Sequence, residues 1–498
     1  MSVFPKDFLW GVSSSASQSE GGWNEGGRGK SILDVITSAD ARGNRLITWY
    51  DKFSNLHATS TAGFHVPEEG TLEVTDRYSY PNHNGVDFYH RWKEDLELLE
   101  KLGINCFCTS ISWSRIFPTG EEETPNEEGV AFYRTLFQEL RKRKIEPVVT
   151  LFWDDAPLAM EIRDDGWNGR EIIDAFVRYA KVCMETFGDL VKIWIPIHEI
   201  NSPIIMFSQR KKLGSSTLEH ALRLCHHLIL ASARVIALGH EMNPEFKMGT
   251  SLATVAIYPY SGRPRDVRRA SETWQRFMLD PADALLRGYY PSTAQAYWKD
   301  GGLDPDVLER DRKEIEKGKA DFLSISYFTS HTIQEGAEDE RTTYPHTVVN
   351  EHVTYSSFMQ ADDPTGLEIL CGTLYGRYEK PIFIMENGWG EEEKPEDGKV
   401  EDEQRITYLR GVLRSVADLL KSGVQIMGYS VWSFTDVITE WEGLLKQRYG
   451  LVYVNRDDAG NGDFARIPKS SFDWYRKVAS FNGEQGIFEE EPSEKTGN

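Results

Sequence analysis

Short apolar runs alternate with longer amphipathic stretches from one end of the chain to the other. The apolar runs predict strands over 8–12, 106–111, 147–152, 193–197, 246–253, 322–325, 382–385 and 427–432. Few of them alternate polar with apolar positions, which is the pattern of parallel strands covered on both faces. Between them, Trp92, Leu96, Leu99 and Leu102 follow Phe88 at helical spacing, and Asp87 stands where it can cap that helix. Similar helical patterns fall near 130–143, 170–187, 216–240, 366–377, 403–421 and 470–481. Strands and helices in this order, with no linker, composition shift or internal repeat, predict an α/β fold: a single (β/α)8 TIM barrel with long βα loops. Residues 35–84, rich in Thr, Ser and Asn, read as loop, and 391–402 as an acidic solvated loop. The barrel domain is expected over 1–485, with 486–498 a polar C-terminal tail.

Charge narrows the partners. The 498 residues carry 56 basic and 78 acidic side chains, a net charge of −22. Neutralising phosphates needs clustered Lys and Arg, so nucleic acid and anionic membrane surfaces are excluded as partners. The 14 Trp, 21 Tyr and 24 Phe suit a deep core and a site that stacks on apolar ligand faces. The start, Met1 to Phe8, lacks the basic and apolar regions of a signal peptide. No uncharged apolar run has the 18 or more residues that a membrane span needs. Five cysteines without metal spacing (Cys106, Cys108, Cys183, Cys225, Cys371) read as buried free thiols. The expectation is a cytoplasmic protein with no metal and no cofactor. His226 and His227 are adjacent on a helix and point about 100° apart, which is no metal pair.

Two carboxylates stand where a barrel of this kind places its chemistry. The fourth strand runs into His198-Glu199 and the seventh into Glu386-Asn387-Gly388. A lone Glu there is more often an ion-pair partner or a helix cap. Two on different strands raise the case for catalysis, because glycosidic cleavage uses paired carboxylates.

At these residues the chain resembles glycoside hydrolase family 1, the β-glucosidase and 6-phospho-β-glucosidase family, over nearly its whole length. Phe8-Leu9-Trp10-Gly11, Gln18-Ser19-Glu20-Gly21 and Trp23-Asn24-Glu25 look like its N-terminal signature. Ser112-Trp113-Ser114-Arg115-Ile116-Phe117-Pro118, Gly166-Trp167-Asn168, Ile384-Met385-Glu386-Asn387-Gly388 and Val431-Trp432-Ser433 follow in the family's order. The resemblance implies retaining hydrolysis of β-glycosidic bonds, with Glu386 the nucleophile and Glu199 the general acid/base. It makes Arg91 the arginine that orients the nucleophile; a surface arginine of the first helix is the alternative. Gln18, Trp153, His198, Tyr327, Trp432, Glu440 and Trp441 become the substrate-binding set.

The resemblance is incomplete at the sugar. The family's His-Trp-Asp is replaced by Trp153-Asp154-Asp155, and its Asn-Glu by His198-Glu199. The tyrosine expected to bond the nucleophile is Phe328. Counting forward from Asp436 puts Thr439, Lys446 and Tyr449 where phospho-glucosidases hold a phosphate. Counting back from Gly450 aligns Glu440-Trp441 with the pair that binds a plain sugar. The two registers differ by one residue. A dianionic phosphate would be repelled by Glu440, which favours a plain β-glucoside over its 6-phosphate. A catalytically silent carbohydrate-binding relative and a transglycosidase are the competing readings. Aglycone, linkage and oligomeric state are not written in the chain.

Overall fold

The computed structural model of the chain describes residues 3–40, 43–61, 69–163, 166–210, 217–337 and 346–488. Eight parallel strands form one closed ring, in chain order. They are β1 (Leu9–Ser13), β2 (Cys106–Ser110), β3 (Glu146–Phe152), β4 (Ile193–Ile197), β5 (Lys247–Pro259), β6 (Phe322–Ile333), β7 (Ile382–Asn387) and β8 (Ile426–Trp432). β8 pairs with β1 and closes the ring, so the barrel has no open edge. The barrel expected from the sequence is the one that forms. β5 and β6 run beyond their predicted ends and keep pairing as far as Pro259 and Ile333. The β4–β5 ladder, in contrast, pairs at Ile193 and Trp194 alone. Pro196 has no N–H to extend it, which leaves the C-terminal end of β4 free to turn into the site.

Helices cover the ring: α1 (Phe88–Leu102), α2 (Glu127–Lys142), α3 (Glu171–Phe187), α4 (Leu218–Met242), α5 (Pro305–Lys317), α6 (Pro364–Tyr378), α7 (Glu403–Lys421) and α8 (Ser470–Ser480). α1 stops at Gly103, whose φ of 73° favours a residue without Cβ. Asp87 does precede α1, but its carboxylate bonds His90 and Arg91 and not the helix backbone. α4 is long and apolar enough to cross a membrane by composition, and 72% of its most apolar window is buried inside the protein. Arg234 within it pairs with Asp174 and Glu314 at the helix surface.

Two regions differ from the sequence expectation. Residues 35–84 hold a small antiparallel sheet of Leu46–Tyr50, Leu56–Ser60 and Thr71–Leu72, packed through Val35, Ile47, Leu72 and Leu158. Its Thr- and Ser-rich strands lack the apolar runs that mark barrel strands. Between β5 and β6 lie three further helices, Pro264–Trp274, Asp280–Leu286 and Ser292–Asp300. Each is short and has a proline at its start, which the chain presents as punctuation and the helix uses as a first-turn residue. Packing also continues past residue 485: Ile487 is in the core, and the Trp474 indole N–H donates to the Gly486 carbonyl. Residues 489–498 of the expected tail lie outside the described residues.

The N-terminal motif and the segment after β2 are tied to each other. Arg115 Nε meets Glu20 Oε2 at 3.1 Å, both side chains buried, and its other nitrogens donate to the carbonyls of Gly21 and Glu25. The Tyr133 hydroxyl donates to the second Glu20 oxygen at 2.5 Å. Replacing one member of such a pair leaves a buried charge without its partner. Arg115→Met is expected to lower stability by about 3–5 kcal/mol, read as a lower urea midpoint. An unchanged midpoint would show that this ion pair does not hold the two segments.

Candidate active site

Glu386 ends β7 and Glu199 follows β4, so the ring itself brings the two carboxylates together. Glu386 is 4% exposed, and its Oε1 has no hydrogen-bond partner. Glu199 takes a left-handed backbone (φ 44°), with its N–H donated to Ser251 Oγ and its Oε2 accepting from Ser202 Oγ at 3.0 Å. That unusual turn directs the side chain back over the barrel mouth. His198 lies between the acids, its Nε2 3.6 Å from Glu199 Oε1 and 3.5 Å from Glu386 Oε1.

Burial sets the protonation. It pushes the Glu199 carboxyl up to about 7, against the hydrogen bond from Ser202. It pushes Glu386 well above the ordinary range, reinforced by the charges of Glu199 and Glu440. His198 is lowered to about 3 by the same desolvation and stays neutral. Two buried acids this close cannot both ionise without a cation, so the pair retains a proton. Among the described residues, no Lys or Arg is paired with either acid; His198 is the basic group within 4 Å.

An aromatic stack closes one side. Trp153 is fully buried, stacks on His198 at 3.7 Å and on Trp432 at 5.6 Å, and donates its indole N–H to Glu440 Oε1 at 2.9 Å. Trp153 therefore has a definite place: it orients the imidazole with its face and the Glu440 carboxylate with its edge. Glu440 and Asp154 are exposed at the rim, where solvent partly screens them. Arg45 supports the Glu440 loop through the Glu440 carbonyl and not the carboxylate.

Buried polar groups hold this arrangement from behind. The Asn387 amide donates to the Tyr327 carbonyl and to Tyr408, and accepts from Tyr429, which locks the residue after Glu386. Asp436 accepts from Arg448, Lys469 and the N–H of Gly450 and Val454, pinning both ends of the 437–449 loop. Asp155 accepts from the Trp113 N–H.

Several expected site residues do other work. Arg91 does not orient the nucleophile: its guanidinium bonds Asp87, Glu94 and the Asp463 carbonyl on the surface. The group that does influence Glu386 from β2 is Cys108, which adds no positive charge. Tyr327 is fully buried, with its hydroxyl on the Asp363 carbonyl. Alternation along β6 turns Ser326 and Phe328 inward and Tyr327 outward to the helices. Trp441 is 59% exposed and does not join the stack. Thr439 closes its own turn against Leu444, Lys446 pairs with Glu442, and Tyr449 accepts from Gln447. Gln18 does reach the 437–449 loop, donating to the Ile438 carbonyl at 2.6 Å and accepting from Ser15. Cys108, Ser326 and Asp154 were not singled out by sequence, because nothing local marks which face of a strand or loop they occupy. His226 and His227 serve structure, on Asp311 and on the Trp167 carbonyl.

The chain matches the family model described as glycosyl hydrolase family 1 over residues 1–52 and 69–484. It is 37% identical over 503 residues to the aryl-phospho-β-D-glucosidase BglA of Bacillus subtilis (strain 168), covering 97% of this chain and 100% of that protein. It is equally 37% identical to the 6-phospho-β-glucosidase AscB of Escherichia coli (strain K12), over 97% of this chain and 99% of that protein. The structure resembles a β-glucosidase from Thermotoga maritima in complex with glucoimidazole, with a TM-score of 0.80 and 29% identity. That likeness covers 96% of this chain and 99% of the other.

Burial pushes the Asp155 carboxyl up to about 7, and its Oδ1 has no partner. The folded protein therefore holds a proton that the unfolded chain releases near the ordinary carboxylate pKa of about 3.9. Stability from this group falls as pH rises from about 4 through 7. In Asp155→Asn the decline of melting temperature over that window is expected to be shallower. Parallel declines in the two proteins would contradict the buried, protonated carboxyl.

Proposed function

The chain belongs to glycosyl hydrolase family 1 and is a β-glycosidase, and from that premise we propose that Glu386 and Glu199 divide the chemistry and that the preferred glycone is an unphosphorylated β-linked sugar. The observation that carries the division of roles is the closeness of the acids. One oxygen of each lies within 4.8 Å of the other. Retaining enzymes place their carboxyl groups about 5–5.5 Å apart, whereas inverting ones leave room for water at about 6.5–9.5 Å. Glu386 attacks the anomeric carbon while Glu199 gives its proton to the departing oxygen. The glycosyl–Glu386 ester is then opened by water, whose proton returns to Glu199.

Glu199 reaches the attack region from β4, and burial raises its carboxyl to about 7; the proton that the two acids share must rest on Glu199 when Glu386 attacks, as general-acid catalysis requires. Trp432 offers its ring as the floor of the sugar, and Gln18 with Glu440 meets its hydroxyls. His198, at the place of the family's amide, contacts the sugar beside the bond that breaks. Among the described residues no Lys, Arg or tyrosine hydroxyl is bonded to Glu386 to stabilise its ionised form, so turnover is expected to be slow.

Glycone choice is supported by charge. The Glu440 carboxyl is held at the mouth by the Trp153 indole N–H, where it can accept from sugar hydroxyls, and at the exposed rim its ionised form, like that of Asp154, repels a dianion. Lys446, the cation a phosphate would need, is paired with Glu442. The phosphorylated reading has its own support in the names of the two relatives. The buried, unbridged cysteines fit a reducing cytoplasm.

On an activated aryl β-glucoside, measured in chelator, Glu386→Ala is expected to lose turnover by more than about a thousandfold, with added azide restoring it. Glu199→Gln is expected to lose about 10²–10⁴-fold on a poor leaving group and less on an activated one, which needs little proton assistance. Equal losses on both leaving groups would contradict the acid role. A higher kcat/KM for the aryl glucoside than for its 6-phosphate is expected; the reverse order overturns the choice of glycone.

A further inference from the structure

The spacing of the sequence gives no metal cluster, yet three ligand-type side chains converge at the base of the site. His198 Nε2 is 3.6 Å from Glu199 Oε1 and 3.5 Å from Glu386 Oε1, and one donor atom of each residue lies within 4.8 Å of the others. These separations are too long for hydrogen bonds. The two His198 separations match the spacing between ligands of one ion, since donors about 2.1 Å from a tetrahedral centre sit about 3.4 Å apart; the two carboxylates would draw together on the ion as needed.

A second observation points the same way. The Glu386 side chain is 5% exposed, and its Oε1 has no hydrogen-bond partner. A buried carboxylate oxygen is normally satisfied. The imidazole Nε2 is directed at it without a bond, and no Lys or Arg is paired with either acid among the described residues. Negative charge at the rim, from Asp154 and Glu440, favours entry of a cation.

We propose that His198, Glu199 and Glu386 form a binding site for one divalent cation of the zinc class. Mixed imidazole and carboxylate ligation suits Zn²⁺, Co²⁺ or Ni²⁺, whereas Ca²⁺ and Mg²⁺ prefer all-oxygen cages. Three protein ligands leave a position for water, the arrangement of an open zinc site. His198 is oriented by the Trp153 ring, and its Nδ1 has no acceptor. Metal-bound imidazoles are usually strengthened by such an acceptor, so the affinity here is modest. The ion uses the oxygens that attack and protonate, so occupancy excludes turnover. That consequence rests on the glycosidase reading above; the binding itself does not.

The test is titration of the untagged, chelator-stripped full chain with Zn²⁺ by calorimetry, and with Co²⁺ by visible absorption. One ion per chain is expected, with a d–d band and no thiolate charge-transfer band, which separates this site from Cys106 and Cys108. His198→Asn and Glu386→Gln should each weaken binding at least tenfold, while His57→Asn, on the small sheet, should not. Melting followed by circular dichroism confirms that each variant is folded. No binding by the unaltered chain, or undiminished binding by either site variant, overturns the proposal. Saturating Zn²⁺ should reversibly suppress hydrolysis of the aryl glucoside, and undiminished hydrolysis also overturns it. A chain that binds Zn²⁺ but shows no turnover after stripping would sink the glycosidase reading and leave the metal site standing.

Discussion

Two carboxylates held side by side in the barrel mouth, with no arginine or lysine among the described residues paired to either, set the terms for everything around them. Charge separation at such a site is costly, because burial and mutual repulsion both oppose ionisation. The surrounding groups can be understood as responses to that constraint. The Ser202 hydroxyl donates to Glu199, and His198 presents a neutral nitrogen to both acids. Other buried acids have cations: Asp95 has Arg466, Glu20 has Arg115, and Asp436 has Arg448 and Lys469.

The barrel creates the pair by topology. Parallel strands from distant parts of the chain end on one face, so residues 199 and 386 meet without any local signal joining them. Pro196 ends the β4–β5 ladder early, and the left-handed Glu199 turns its side chain inward. Asn387 and its tyrosines fix the other acid from behind. The same scaffold accounts for Trp153. A residue that contributes only bulk in sequence becomes the shared support of His198 and Glu440.

The strands were legible because a barrel interior demands unbroken apolar runs, and β4 or β7 can be read from five residues. The small sheet within 35–84 was hidden, since its half-exposed strands are polar and its core is four side chains. Glu199 and Glu386 were legible through position and motif. Arg91 was misread because a basic residue in a familiar helix motif carries no sign of which way it faces; α1 turns it to Asp87 and Glu94. Tyr327 was misread for a related reason, as one step along a strand reverses the face. The one-residue ambiguity between Thr439 and Glu440 could not be read from counting. In the structure the Trp153 indole bonds Glu440, and Thr439 engages Leu444 within its own turn.

The central claim is that Glu386 becomes covalently glycosylated. Incubating the chelated protein with a fluorinated aryl β-glucoside, whose glycosyl-enzyme is slow to hydrolyse, and mapping the adduct by peptide mass spectrometry tests it directly. The account predicts one glycosyl group per chain, on the peptide bearing Glu386, and none on Glu386→Gln. An adduct on another residue, or release of a sugar of inverted anomeric configuration without any adduct, would contradict it.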